Sequence, residues 1–130
     1  VTQERVVKVL AYYRDPGLIE RIASNFRKLF MDIDWIYGWK VNDESLYEFY
    51  IGVKDHNNFN TAVILLSKTV DISKVEILDD AQLKRVIIRD GKVIENQSEG
   101  VKEGDMIIYV PVFNRVKGYS WGEVYVKDLH

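Results

Sequence analysis

The sequence predicts an α+β protein, in which two amphipathic helices lie on an antiparallel sheet and a small antiparallel β extension follows. Three observations carry this. Between residues 5 and 79, β-rich and alternating runs bracket two stretches whose apolar residues recur at helical spacing. Residues 86–94 hold an Asp-Gly pair between two β-branched runs, the signature of a tight hairpin. The grammar changes near residue 80, which divides the chain into a first unit, 1–80, and a hairpin-rich extension, 81–130.

Residues 6–13 are rich in Val, Leu and Tyr and stop at Asp15-Pro16-Gly17, which reads as a buried strand ending in a turn. Asp15 suits a helix N-cap and Pro16 a first helical position. Leu18, Ile22, Phe26 and Leu29/Phe30 then predict a helix near 16–31. Ile33, Trp35, Tyr37, Trp39 and Val41 alternate with polar or small residues, as a strand with one apolar face does, and Tyr47, Phe49, Ile51 and Val53 repeat the pattern. Asn57 or Asn58 can cap a helix over 57–70 carrying Phe59, Val63, Leu66 and Val70, and 72–78 reads as another strand. Beyond the Asp90-Gly91 turn, 106–113 is a strand that Pro111 confines to an edge, and 123–126 a short further strand.

The chain of 130 residues carries 18 Lys+Arg against 20 Asp+Glu, a net charge of -2, with 47% hydrophobic residues. That suffices for a core, and it lacks the basic surface that neutralises phosphates, so nucleic acid is not an expected partner. The longest apolar stretches, 62–66 and 106–110, are five residues each, against roughly 20 for a membrane span. The start of the chain does not read as a secretory signal, and no membrane association and a cytoplasmic location are expected. With no Cys and only His56 and His130, the usual thiolate, metal and acid-base sets are missing, and neither cofactor nor metal is expected.

Gly118-Tyr119-Ser120-Trp121-Gly122 matches the nucleophile-elbow spacing, but an alternating run follows it where a helix is needed, so it reads as a turn with Trp121 packed on the sheet. His56 reads as a residue before a helix cap, and Asp79-Asp80 as a solvated turn. Trp35, Tyr37 and Trp39 share one strand face with only Lys40 basic nearby, which predicts an interface between subunits. Gly17 at a helix start lets a carboxylate approach free backbone donors, which makes it a candidate ligand contact.

The order β-α-β-β-α-β, with Arg14-Asp15-Pro16-Gly17-Leu18 after the first strand, resembles the ACT domains, ferredoxin-like modules that sense amino acids. The chain is similar above all to the regulatory (small) subunits of acetolactate synthase, through Gly17, Phe26, residues 32–36 and residues 66–75 (Leu-Ser-Lys-Thr-Val-Asp-Ile-Ser-Lys-Val). Arg14 and Asp32 stand where that family has Asn, and Phe30 where it has a corner glycine. The resemblance implies a non-catalytic protein that binds a small branched-chain amino acid (Val, Ile or Leu) at a subunit interface and modulates a catalytic subunit. Arg14, Gly17, Leu18, Asp32 and Ile33 would form the ligand site, and Trp35, Tyr37 and Trp39 the interface of a homodimer or larger homo-oligomer. Two alternatives stay open. One is a dimerisation module whose ligand site has lapsed. The other is a ligand-sensing regulator of ion transport, since residues 88–94 and 103–105 resemble the C-terminal domains of potassium-channel conductance regulators.

Overall fold

A computed structural model describes residues 4–94 and 100–129. In chain order these form β1 (Glu4–Tyr12), α1 (Leu18–Arg27), β2 (Ile33–Lys40), β3 (Leu46–Lys54), α2 (Phe59–Ser67), β4 (Ile72–Asp79), β5 (Gln82–Arg89), β6 (Lys92–Ile94), β7 (Met106–Val112), β8 (Arg115–Ser120) and β9 (Glu123–Asp128). One sheet has six strands in the order β2-β3-β1-β4-β8-β9, the other three in the order β6-β5-β7, and every pairing is antiparallel.

This corrects the expected fold class. Among the described residues the protein is mostly β, 53% strand against 16% helix, and not a small ferredoxin-like βαββαβ unit with a short extension. The physical reason lies at the outer edge of β4. Instead of ending the sheet, β4 pairs with β8, which pairs with β9, so the last third of the chain completes the first sheet. The signal for β8 is weak, because Arg115-Val116-Lys117 is short and residues 118–122, with glycine at both ends, read as a turn.

Leu18, Ile22 and Phe26 recur at a spacing of four and are buried on α1, while Phe59, Ala62, Val63 and Leu66 are buried on α2. Both helices lie on one face of the six-stranded sheet, where Val7, Val9, Ile51, Val53, Val75 and Ile77 meet them. Each end of α1 differs from expectation. Asp15 is not the cap: Gly17 is, and its N–H donates to Asp15 Oδ1 at 2.7 Å in a local turn. The far end closes at Arg27 because Phe30 takes φ 60°. There Phe30 N–H donates to the Arg27 carbonyl and Met31 N–H to the Phe26 carbonyl, both at 3.0 Å, the paired bonds of a Schellman stop. Phe30 is therefore 88% exposed rather than part of the apolar stripe. Val70 likewise lies beyond α2 and is exposed.

The second sheet covers part of the opposite face. Val6, Leu78 and Val116 are buried there under Ala81, Leu83 and Phe113. Asp90 and Gly91, at φ 51° and 75°, make the expected hairpin turn between β5 and β6. Before β7 a two-pronged ion pair fastens the loop to β5: Arg89 Nε and Nη2 each donate to an Asp105 carboxylate oxygen at 2.8 Å. The Arg89 hydrogen bond, helped by the Lys102 N–H, holds the Asp105 carboxyl down at about 2.

Candidate functional site

The face of the six-stranded sheet turned away from the helices carries the chemically distinctive side chains. Strand register places Tyr37, Tyr50, Lys8, Glu76, Gly118 and Tyr125 opposite one another in a single row across all six strands. Lys8 Nζ lies 2.7 Å from Glu48 Oε1. Burial pulls the lysine pKa down, but the Glu48 hydrogen bond together with the charges of Tyr50, Glu48 and Glu76 leaves it raised. Tyr125 donates its hydroxyl to Glu76 Oε2 at 2.7 Å, and burial, then that hydrogen bond, push its pKa up.

Two glycines let aromatic rings lie flat across this face. A Cβ on Gly118 would sit 2.1 Å from the Tyr125 ring, and one on Gly52 2.1 Å from Trp35 Nε1. Trp35 also donates its indole N–H to Glu4, which fixes the ring over Gly52. From there Trp35, Tyr37 and Trp39 stack along β2, with centroids 5.5 and 5.8 Å apart, and Tyr50 stacks beside Tyr37 and Trp39. A bulge between Ile33 and Trp35 turns Ile33 to the helix side and the three aromatics to the open side.

At the margin of this face the two sheets leave a groove of about 400 Å³, lined by Trp35, Ile36, Tyr37 and Trp39 on one wall and by residues 106–109 of β7 on the other. Both walls are edge strands. Val41 N–H donates to the Leu46 carbonyl, so by the alternation of an antiparallel ladder Ile36, Gly38 and Lys40 direct their backbone groups away from β3. On the other wall Tyr37 donates its hydroxyl to the Tyr109 carbonyl at 3.3 Å. That carbonyl therefore points away from β5, and Ile107 and Pro111 share its parity. Pro111 fits there because its missing N–H is not required by the ladder.

The residues expected to hold an amino acid do not converge within one chain. Gly17 and Asp32 lie beyond opposite ends of α1, whose ten residues separate them by about 15 Å at 1.5 Å per residue. Leu18 and Ile33 pack into the helix-side core. The Gly17 amide is already occupied by the Asp15 carboxylate, where a ligand carboxylate was expected. Arg21 bonds both Asp15 and Asp71, and Arg14 lies 3.5 Å from Asp71. Asp32 is exposed, with Lys54 4.0 Å away. An open hollow of about 620 Å³ beside α1 includes Gly17 and Arg21 but neither Asp32 nor Ile33.

The remaining candidates are structural. Ser120 donates to the Ser73 carbonyl, and it sits at a strand–turn–strand corner rather than a nucleophile elbow. Trp121, at φ 53°, is exposed there and does not pack on the sheet. His56 Nδ1 accepts the N–H of Asn58, the N-cap of α2, at 2.9 Å, and the Asn58 side chain itself makes no cap bond. His130 lies outside the described residues. Among the described residues no group of His, Cys, Asp and Glu could hold a metal ion, and no helix is long and apolar enough to cross a membrane. Lys8, Glu48, Glu76 and Tyr125 were missed by the sequence reading. Their signal was a single charge inside an otherwise apolar strand, as in Val7-Lys8-Val9 and Val75-Glu76-Ile77, which marks a face that helices do not cover.

The chain matches no protein-family model and no curated protein.

Proposed function

We propose that the protein is a non-catalytic interaction module of the cytoplasm that associates with a second copy of itself through the β2–β7 margin. The groove carries this reading. Its lining is wholly apolar or aromatic, Trp39 is 44% and Met106 61% exposed, and two edge strands flank it. Exposed edges pair with other strands unless something covers them, and β7 carries no charge to deter it. Sedimentation equilibrium at micromolar concentration tests the reading. A mass of at least twice 15.2 kDa is expected, falling toward the monomer in Trp39→Lys; a monomeric parent protein overturns it.

The exposed charges Arg14 and Asp32 favour a second reading, the one implied by the resemblance to acetolactate synthase regulatory subunits. A branched-chain amino acid would bind between the β1–α1 loop of one copy and the α1–β2 corner of another, and its occupancy would be passed to a catalytic partner. Asp15 would have to release the Gly17 amide. Calorimetric titration with Val, Ile and Leu tests this: a heat of binding abolished by Gly17→Asp is expected, and three flat traces dismiss it.

A further inference from the structure

We infer that the element entering the groove is β7 of the second copy, paired antiparallel with its own equivalent across a two-fold axis at Ile108. This rests on the self-association reading above and names its contact. β7 is Met-Ile-Ile-Tyr-Val-Pro-Val, without one charge, and Met106, Ile107, Tyr109, Val110 and Val112 are all exposed. Its inner side is taken by β5, and its outer side has no strand partner among the described residues.

The outward backbone groups are self-complementary. Ile107 and Tyr109 share the parity that faces away from β5, as the Tyr37 to Tyr109 bond shows. With the axis at Ile108, Ile107 of one copy stands opposite Tyr109 of the other. Each such pair can exchange both backbone hydrogen bonds. The Tyr109 carbonyl has a second lone pair for this, beyond the one Tyr37 uses. The ladder ends at Pro111, which has no N–H to give and would stand opposite Asp105, whose carboxylate is already held by Arg89.

Charge selects the same occupant. A segment without charges meets its two-fold copy without like-charge contacts, the usual obstacle to isologous strand pairing. The groove supplies the adjoining space, with Trp35 and Trp39 among the aromatic residues that line it.

The absence of native cysteine makes single-cysteine variants of the full chain clean probes of register. At the axis the two Ile108 Cα atoms form a non-hydrogen-bonded pair, about 4.5 Å apart, within the range a disulfide spans. Ile108→Cys is expected to give a covalent dimer under mild oxidation. Met106→Cys, displaced from its own copy by several residues, is expected to give none. Ile107→Pro removes an outward N–H without touching the β5 ladder and is expected to weaken the dimer at least tenfold. A dimer that Trp39→Lys breaks but Ile107→Pro leaves intact, with no cross-link at Ile108, overturns the β7 pairing and keeps the self-association reading. A monomeric parent overturns both. If Ile107→Pro fails to fold, the Ile108→Cys and Met106→Cys pair decides alone.

Discussion

The two faces of the six-stranded sheet are built by the same strands and obey different rules. On the helix side Val7, Val9, Ile51, Val53, Val75 and Ile77 of β1, β3 and β4 are buried and met by Leu18, Ile22, Phe26 and Leu66. On the other side the alternate positions of the same strands hold Lys8, Glu48, Glu76 and Tyr50. The hydrophobic effect explains the first face without help from anything else. The second keeps charges that a helix could not cover without stranding them. Its apolar content gathers in two places, the Val6-Leu78-Val116 cluster under the second sheet and the margin where Trp35, Tyr37, Trp39 and β7 meet. A sheet sealed by helices on one side and only partly covered on the other offers a rigid platform for a partner.

The comparison is broken most forcefully at Phe26. Phe26→Ala is expected to cost about 3–5 kcal/mol through lost burial and a cavity. Tyr37→Ala, on the open face, is expected to cost about 1 kcal/mol through lost cross-strand contact. Urea unfolding of both variants at one protein concentration measures the contrast, and equal losses would erase the distinction between the faces.

Tyr125→Phe sharpens it. The change leaves Glu76 without its hydroxyl donor and is expected to cost about 1–3 kcal/mol. The folded Tyr125 pKa lies above that of the unfolded chain, chiefly through burial and then through Glu76. The folded state therefore favours the protonated phenol. Its contribution is complete below about pH 10 and is lost as pH rises beyond that. Thermal melts of parent and variant should differ at pH 8 and converge as the medium becomes strongly alkaline.

Phe30→Gly has the smallest expected effect and the opposite sign. A left-handed φ costs a residue with a Cβ roughly 1–2 kcal/mol, and glycine returns part of that as unfolded-chain entropy. A gain of up to about 1 kcal/mol is expected, read as a higher urea midpoint. A loss would mean that Phe30 makes a stabilising contact.

The helix-side face was legible because its signal is periodic: Leu18, Ile22, Phe26, Val63 and Leu66 were marked by spacing alone and are buried. The Asp90-Gly91 turn was legible because only certain residues tolerate two successive positive φ angles. The β8 and β9 addition was not, since nothing local in Arg115-Val116-Lys117-Gly118 says which strand it will pair with. Nor was the cluster of Lys8, Glu48 and Glu76, whose members are 40 and 28 positions apart in sequence and meet only through strand register. Gly17 and Asp32 stand at opposite ends of α1 within one chain, and the Asp15 carboxylate holds the Gly17 amide, so no spacing in the sequence shows whether two copies bring them together.

The claim that a second copy covers the β2–β7 margin is tested most directly by residue-resolved amide hydrogen exchange at low and high protein concentration. The Ile107 and Tyr109 amides have no partner in the β5 ladder by parity, so their exchange reports on the outer edge alone. Slower exchange at both positions in the concentrated sample is predicted, with the outer residues of α1 unchanged. Equal exchange of Ile107 and Tyr109 at the two concentrations would contradict the account.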